Sequence, residues 1–254
     1  MRLLNASSGR RGSLARGELL LWLRSPRGRR QSTLEQRELQ RVLPELFGRH
    51  ILQVGSWDSG RRLLAHAEML HRAVLGTVSG LGAQGVVLPE ALPIANKSVD
   101  AVVLPHTLEF AASPHHVLRE VDRILTDRGR LVILGFNPWS LWGIRRHFGL
   151  SYRALPCSAR FATVNRLVDW LQLLNFEITQ IRRFGSGFPW TVPRSHGDPL
   201  TPGALLAPFA DSYLLVAKKR VIPMTLIGRP QRAQVVRPLI GGAVGLPGVR
   251  SEQP

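Results

Sequence analysis

The chain of 254 residues has a single cysteine, Cys157. That excludes an internal disulfide framework and any zinc site built on cysteines. Cys157 is expected to be a partly buried structural thiol. No apolar run approaches the ~18 residues that a bilayer-spanning helix needs. Leu19 to Leu23 (LLLWL) is too short for the apolar core of a secretory leader, and Arg24 and Arg27 follow it in place of small residues. A cytoplasmic location is the expectation. Internal repeats are missing, as are a zinc knuckle, a helix-turn-helix signature and a pair of RNA-stacking aromatics, so sequence-specific nucleic-acid readout has no support. Negative charge is scarce too: 17 Asp and Glu stand against 34 Lys and Arg, for a net charge of +17.

The excess of positive charge sits mainly at the two ends. Residues 1–31 carry eight arginines against one glutamate, and residues 218–254 carry seven basic residues against one glutamate. The organisation expected is a basic N-terminal arm over 1–31, a folded domain over 32–219, and a Gly/Pro-rich tail over 220–254 without stable structure. Such arms suit salt-sensitive contact with RNA, DNA or an anionic membrane face. They equally suit a solubilising role in an arginine-rich protein.

What is present is concentrated between Gly85 and Asn137. Val99 to Leu104 (VDAVVL) is short, β-branched and apolar, as a strand buried on both faces should be. Ser113-Pro114 opens a helix with a capping serine and a proline at the first helical position. Val117, Leu118, Val121, Ile124 and Leu125 share one face of it. Asp127-Arg128-Gly129 should stop this helix before Arg130 to Phe136 forms a second buried strand. Two parallel strands with a helical crossover are half of a doubly wound sheet.

Outside this unit, Ser32-Thr33-Leu34-Glu35 reads as a capping box opening a helix to about Leu46. Strands are expected at His50 to Val54, Ala73 to Leu75, Gly85 to Leu88, Phe176 to Arg183 and Ser212 to Lys218. Helices are expected at Arg61 to Leu70, Ser140 to Phe148 and Ala162 to Leu174. A long Gly/Pro-rich loop runs from Gly185 to Pro208. The fold class is α/β: a mostly parallel, doubly wound, seven-stranded sheet with helices on both faces and the last strand antiparallel.

Several short motifs in the central unit carry a family resemblance. They are Ala91-Leu92-Pro93-Ile94, Ser98-Val99-Asp100, Leu108-Glu109-Phe110, Leu118-Arg119-Glu120, Arg123-Ile124-Leu125 and Gly129-Arg130-Leu131. With them, residues 85–136 resemble the second half of the Rossmann-like, class I methyltransferases that use S-adenosylmethionine, in the type-11 subgroup. A looser resemblance runs from His50 to Lys219. The whole chain is similar to a bacterial branch of that family, marked by Gly135-Phe136-Asn137-Pro138 and a basic stretch from Ala217 to Pro223.

The resemblance implies S-adenosylmethionine as cofactor and a seat for it at the carboxyl ends of the strands. The family places an acidic residue and three alternating glycines after the first strand; here stand Gln53, Gly55, Trp57 and Ser59, with Gly60 one residue late. Gly55 alone matches residue for residue. Gln53 keeps hydrogen bonding without a carboxylate. Trp57 either caps the pocket, facing the sulfonium with its ring, or fills space. At the end of the second strand, where the family grips ribose with a carboxylate, Thr77 offers a hydroxyl. Glu90 is a candidate for the adenine region, displaced from the family position at Leu88, and the resemblance groups Leu92 with it.

His106, at the end of the fourth strand, faces the methyl-donor region. It either removes a proton from the acceptor or shapes the pocket. His115-His116 gives no metal site, because adjacent helical residues point apart. Trp139, Trp142 and Arg146 recur at helical spacing over the pocket mouth and are the substrate-binding candidates. Either they form a lid, with aromatics for a planar or apolar acceptor and Arg145 or Arg146 for an anionic group, or the tryptophans pack and the arginines are solvated. Three functions follow: methyl transfer to an unidentified small-molecule or macromolecular acceptor, a methyltransferase-fold binding protein without catalysis, or a nucleic-acid-associated protein held by its basic arms.

Overall fold

The computed structural model describes residues 17–55, 57, 63–77, 82–140, 161–185 and 210–220. Seven strands form one sheet: β1 (His50–Val54), β2 (His71–Gly76), β3 (Gly85–Val86), β4 (Val99–Pro105), β5 (Leu125–Phe136), β6 (Phe176–Phe184) and β7 (Ser212–Lys219). Their order across the sheet is β3-β2-β1-β4-β5-β7-β6. All neighbours from β3 to β5 pair in parallel, while β7 runs antiparallel to both β5 and β6. The sequence expectation of one antiparallel closing strand therefore holds.

Strict alternation along the central strands separates two apolar layers. Ile51, Ala101, Val103, Val132, Leu134, Leu214 and Val216 face one side, where they meet Leu39 and Val42 of α1 (Pro26–Val42) together with Leu19 and Leu23 of a helical stretch over 17–23. Leu52, Val54, Val102, Leu104, Leu131, Ile133 and Leu215 face the other. They are covered by α3 (Pro114–Ile124) and α4 (Val164–Leu173). One turn of helix, α2 (Thr107–Phe110), separates β4 from α3.

Three elements depart from expectation. Helix α1 starts at Pro26, with Ser25 as its cap: the Ser25 hydroxyl accepts the Gly28 N–H at 3.1 Å. Ser32 and Glu35 thus lie inside the helix and form no capping box. The real start repeats the Ser–Pro sequence that opens α3, where the Ser113 side chain makes no capping bond, and it extends the helix back across residues 26–31 of the nominal arm. Residues 63–66 form a turn instead of the expected helix. The Arg72 guanidinium donates to the carbonyls of Leu64, Ala65 and Ala67 at 3.2–3.5 Å, using acceptors that a helix would have engaged. Finally, β5 begins at Leu125, and Asp127-Arg128-Gly129 lies within its span. The register slips there, from Val99↔Leu125 to Ala101↔Arg130. Of the expected helix over 140–148, only Ser140 is among the described residues; the 186–208 part of the expected loop lies outside them.

Candidate functional site

The carboxyl ends of β1, β2 and β4 meet beside α1, and the side chains there are polar and buried. His106 follows β4 in the left-handed region (φ 50°) and is fully buried. Its Nδ1 lies 2.8 Å from Glu109 Oε2 and its Nε2 lies 3.1 Å from Glu35 Oε1. The ring is also sandwiched by aromatics: Trp57 stacks at 4.7 Å between centroids, and Phe136 lies at 3.9 Å. Burial opposes charge on this imidazole, but the carboxylates of Glu109 and Glu35 outweigh it and raise its pKa to about 9. At neutral pH His106 is an imidazolium held between two carboxylates, with both ring nitrogens donating.

The cluster extends through Glu35. Its Oε1 accepts from Gln31 Nε2 at 2.8 Å and from the Ser212 hydroxyl at 3.2 Å, besides His106. Gln31 also donates to the Ser212 hydroxyl at 2.7 Å, tying α1 to the first residue of β7. Glu35 Oε2, by contrast, is buried without any hydrogen-bond partner. Glu109 uses its second oxygen to accept the Phe136 N–H. Three elements before, within and after the central unit thus converge on one histidine.

The other expected residues divide into two groups. Gln53, Gly55, Trp57 and Thr77 cluster at the ends of β1 and β2. Gly55 has φ 107°, a conformation that favours glycine, and its N–H donates to the Leu75 carbonyl at 2.7 Å. Gln53 Nε2 donates to the Gly55 carbonyl at 2.9 Å, which leaves Gln53 Oε1 buried and unpartnered. Trp57 Nε1 and Thr77 Oγ1 are likewise buried without partners. Glu90 and Leu92 are engaged elsewhere. Glu90 holds the turn before α3 by accepting the Ala112 N–H at 2.8 Å and the Ser113 N–H at 3.4 Å. Leu92 is buried, its N–H donating to Glu120 Oε2 and its carbonyl accepting from Arg123, both at 3.0 Å. Leu88, the family position for an acid, is exposed. Trp139 is 63% exposed, with its N–H donating to Asn137 Oδ1 at 3.2 Å. Trp142 and Arg146 lie outside the described residues.

Glu35, Gln31 and Ser212 join the site without being candidates from sequence. The capping-box pattern gives Glu35 another role, and a buried face of Gln31, Glu35 and Glu38 carries no apolar stripe to reveal it. The signal that is available is their spacing of three to four residues in register with Leu39 and Val42.

This strand order, parallel from β3 to β5 and closed by an antiparallel β7 between β5 and β6, is that of a class I Rossmann-like methyltransferase fold. Residues 66–133 match the family model described as a methyltransferase domain. A SAM-dependent methyltransferase of Thermotoga maritima superposes with a TM-score of 0.57 at 17% identity, covering 75% of this chain and 94% of that one. Another from Archaeoglobus fulgidus gives 0.55 at 15% identity, covering 74% and 94%. The uncharacterized protein YafS of Escherichia coli K12 is 36% identical over 224 residues, or 88% of this chain and 90% of the relative. The chain belongs to the family of YafS, and its fold is that of the class I SAM-dependent methyltransferases.

The cofactor of that class is S-adenosylmethionine, and the residues present suit a polar ligand of its kind. Three unpartnered buried atoms, Gln53 Oε1, Trp57 Nε1 and Thr77 Oγ1, lie on residues at the ends of β1 and β2, as does Gly55 with its positive φ. Buried polar groups without partners are uncommon in folded proteins, and those at a binding site are the ones a polar ligand can satisfy. Among the described residues, no group of three or more His, Cys, Asp or Glu is placed to hold a metal ion, and no helix is long and apolar enough to cross a membrane.

Proposed function

We propose that the protein is a cytoplasmic methyltransferase that passes a methyl group from S-adenosylmethionine to an acceptor bound beside His106. The observation that carries this reading is the set of partnerless polar atoms around Gly55, on strand ends where this fold class binds its donor. When bound, the cofactor supplies a methyl group already activated on a sulfonium, so the protein contributes alignment and exclusion of water. Gln53, Trp57 and Thr77 hold the donor through their free polar atoms, and Gly55 lets the backbone approach. His106, with both ring nitrogens committed to carboxylates, organises the site electrostatically. Trp139, exposed at the end of β5, offers an aromatic face to the acceptor, with Trp142 and Arg146 following it in sequence.

A second reading has one specific observation in its favour. The Trp57 indole is 1% exposed and stacked on His106, so it occupies volume at the donor end of the sheet. On that reading the protein is a methyltransferase-fold binding protein without catalysis. Titration calorimetry of the folded, full-length protein with S-adenosylmethionine and its demethylated product separates the two. Binding in the micromolar range, weakened at least tenfold by Gly55→Val, is expected. Absence of binding at millimolar ligand overturns the enzyme reading.

A further inference from the structure

Glu35 is unusual in how unevenly its two oxygens are used. Oε1 takes three donors, from Gln31, Ser212 and His106, while Oε2 takes none although the side chain is fully buried. The charges are uneven as well. Glu35 and Glu109 are two carboxylates against one imidazolium, which leaves the cluster one negative charge in excess. One turn further along α1 the situation is different: Glu38 is paired with Arg41 at 2.8 Å and Arg182 at 3.2 Å. Among the described residues, no lysine or arginine pairs with Glu35 or Glu109. An uncompensated buried charge costs several kcal/mol, so a bare carboxylate oxygen in this setting favours an incoming cation strongly. Trp57, stacked on the same histidine, presents an aromatic ring beside the cluster, and such a face favours a cation.

We infer that Glu35, His106 and Glu109 form a buried anionic subsite that receives a cationic group, an ammonium or a sulfonium, at Glu35 Oε2. The inference deepens the proposed function and rests on it for the nearness of the donor. Two sources share this chemistry: the cationic methyl donor, or an amine acceptor. In either case α1, which precedes the segment matched by the family model, supplies a carboxylate where the first strand carries Gln53. His106 holds Glu35 in place as a positioning residue, and Glu35 touches the ligand.

The test uses the full-length protein and its Glu35→Gln variant, in which Gln31, Ser212 and His106 can still be bonded. Binding of S-adenosylmethionine and of its neutral-sulfur product is measured by calorimetry. Ethylammonium chloride is compared with equimolar ethanol and sodium chloride as a stabiliser in thermal unfolding. The expected result is at least a tenfold loss of donor affinity in Glu35→Gln, which assigns the cation to the donor. Unchanged donor affinity, with an ethylammonium stabilisation present only in the wild type, assigns it to the acceptor. If the wild type binds no donor yet shows Glu35-dependent stabilisation by ethylammonium, the proposed function falls and the subsite stands. If both proteins respond alike to every probe, the subsite is overturned while donor binding keeps the proposed function. Should Glu35→Gln fail to fold, the wild type decides alone: it must prefer the sulfonium donor to its neutral product or be stabilised by ethylammonium, and failing both sinks the inference.

Discussion

At His106 two large electrostatic effects oppose each other, and the outcome sets a pH dependence. Removal from water disfavours the imidazolium, and the flanking carboxylates favour it more, so the folded pKa of about 9 lies above the unfolded value of 6.5. A raised pKa means that the contribution to stability is complete below the unfolded value and disappears as pH rises through the folded one. The wild type should therefore lose on the order of 3 kcal/mol of unfolding free energy between pH 6.5 and 9.5. Asp211, raised by burial to about 7, loses its own contribution in the same direction but over lower pH. Urea titrations across pH 6 to 10 check this, with His106→Gln expected to flatten the upper part of the profile. A parallel fall in both proteins would show that the cluster does not hold a proton on His106. At this scale the sequence is only partly legible. His106 can be placed at the site because a strand end points there. Its contact with Glu35 cannot, because Glu35 is 71 residues away and joins it only through packing of α1 on the sheet.

The elements are legible where local chemistry and burial agree. The apolar run of β4 and the Ser–Pro start of α3 are read directly because each satisfies both propensity and core packing. The start of helix α1 is misread because two start signals compete within eight residues. Ser25-Pro26 supplies a cap and a preset first turn, whereas Ser32 through Glu35 supplies the pattern of a capping box without a chain end to cap. Packing favours the earlier start. A Cβ on Gly28 would come within 2.2 Å of the Trp22 carbonyl oxygen, so this turn lies hard against the preceding 17–23 stretch. Ser25→Ala should accordingly cost about 1 kcal/mol by chemical denaturation, and Ser32→Ala less than about 0.5. The reverse ranking would restore the capping box. The segment over 63–70 misleads for a different reason: its helical pattern is local, and Arg72, from the next strand, removes the carbonyls that pattern needs.

For the molecule as a whole, the fold class and the family resemblance are readable largely from residues 85–136, because a parallel crossover allows few topologies. Charge distribution is legible too, but its structural boundary is not. Leu19 and Leu23 are fully or nearly fully buried in the same cluster as Leu39 and Val42 of α1, so the basic N-terminal stretch contributes to the core from at least Leu19 onward. A test of the basic ends must respect this. Removing 1–31 would delete the start of α1 and Gln31, whereas removing 1–16 and 222–254 leaves every residue of the described fold in place. The narrower deletion still takes away eight arginines and one glutamate. It should unfold within about 2 °C of the full chain, since every buried residue of the described core is kept. If the ends serve nucleic acid, affinity for a single-stranded RNA should fall at least tenfold at about 50 mM salt. The slope of log affinity against log salt should also become shallower, by about 0.7 for each phosphate that the deleted arginines had neutralised. Equal affinity and equal slope in the two proteins would assign the positive charge to solubility and leave the small site beside His106 as the place where this protein meets its acceptor.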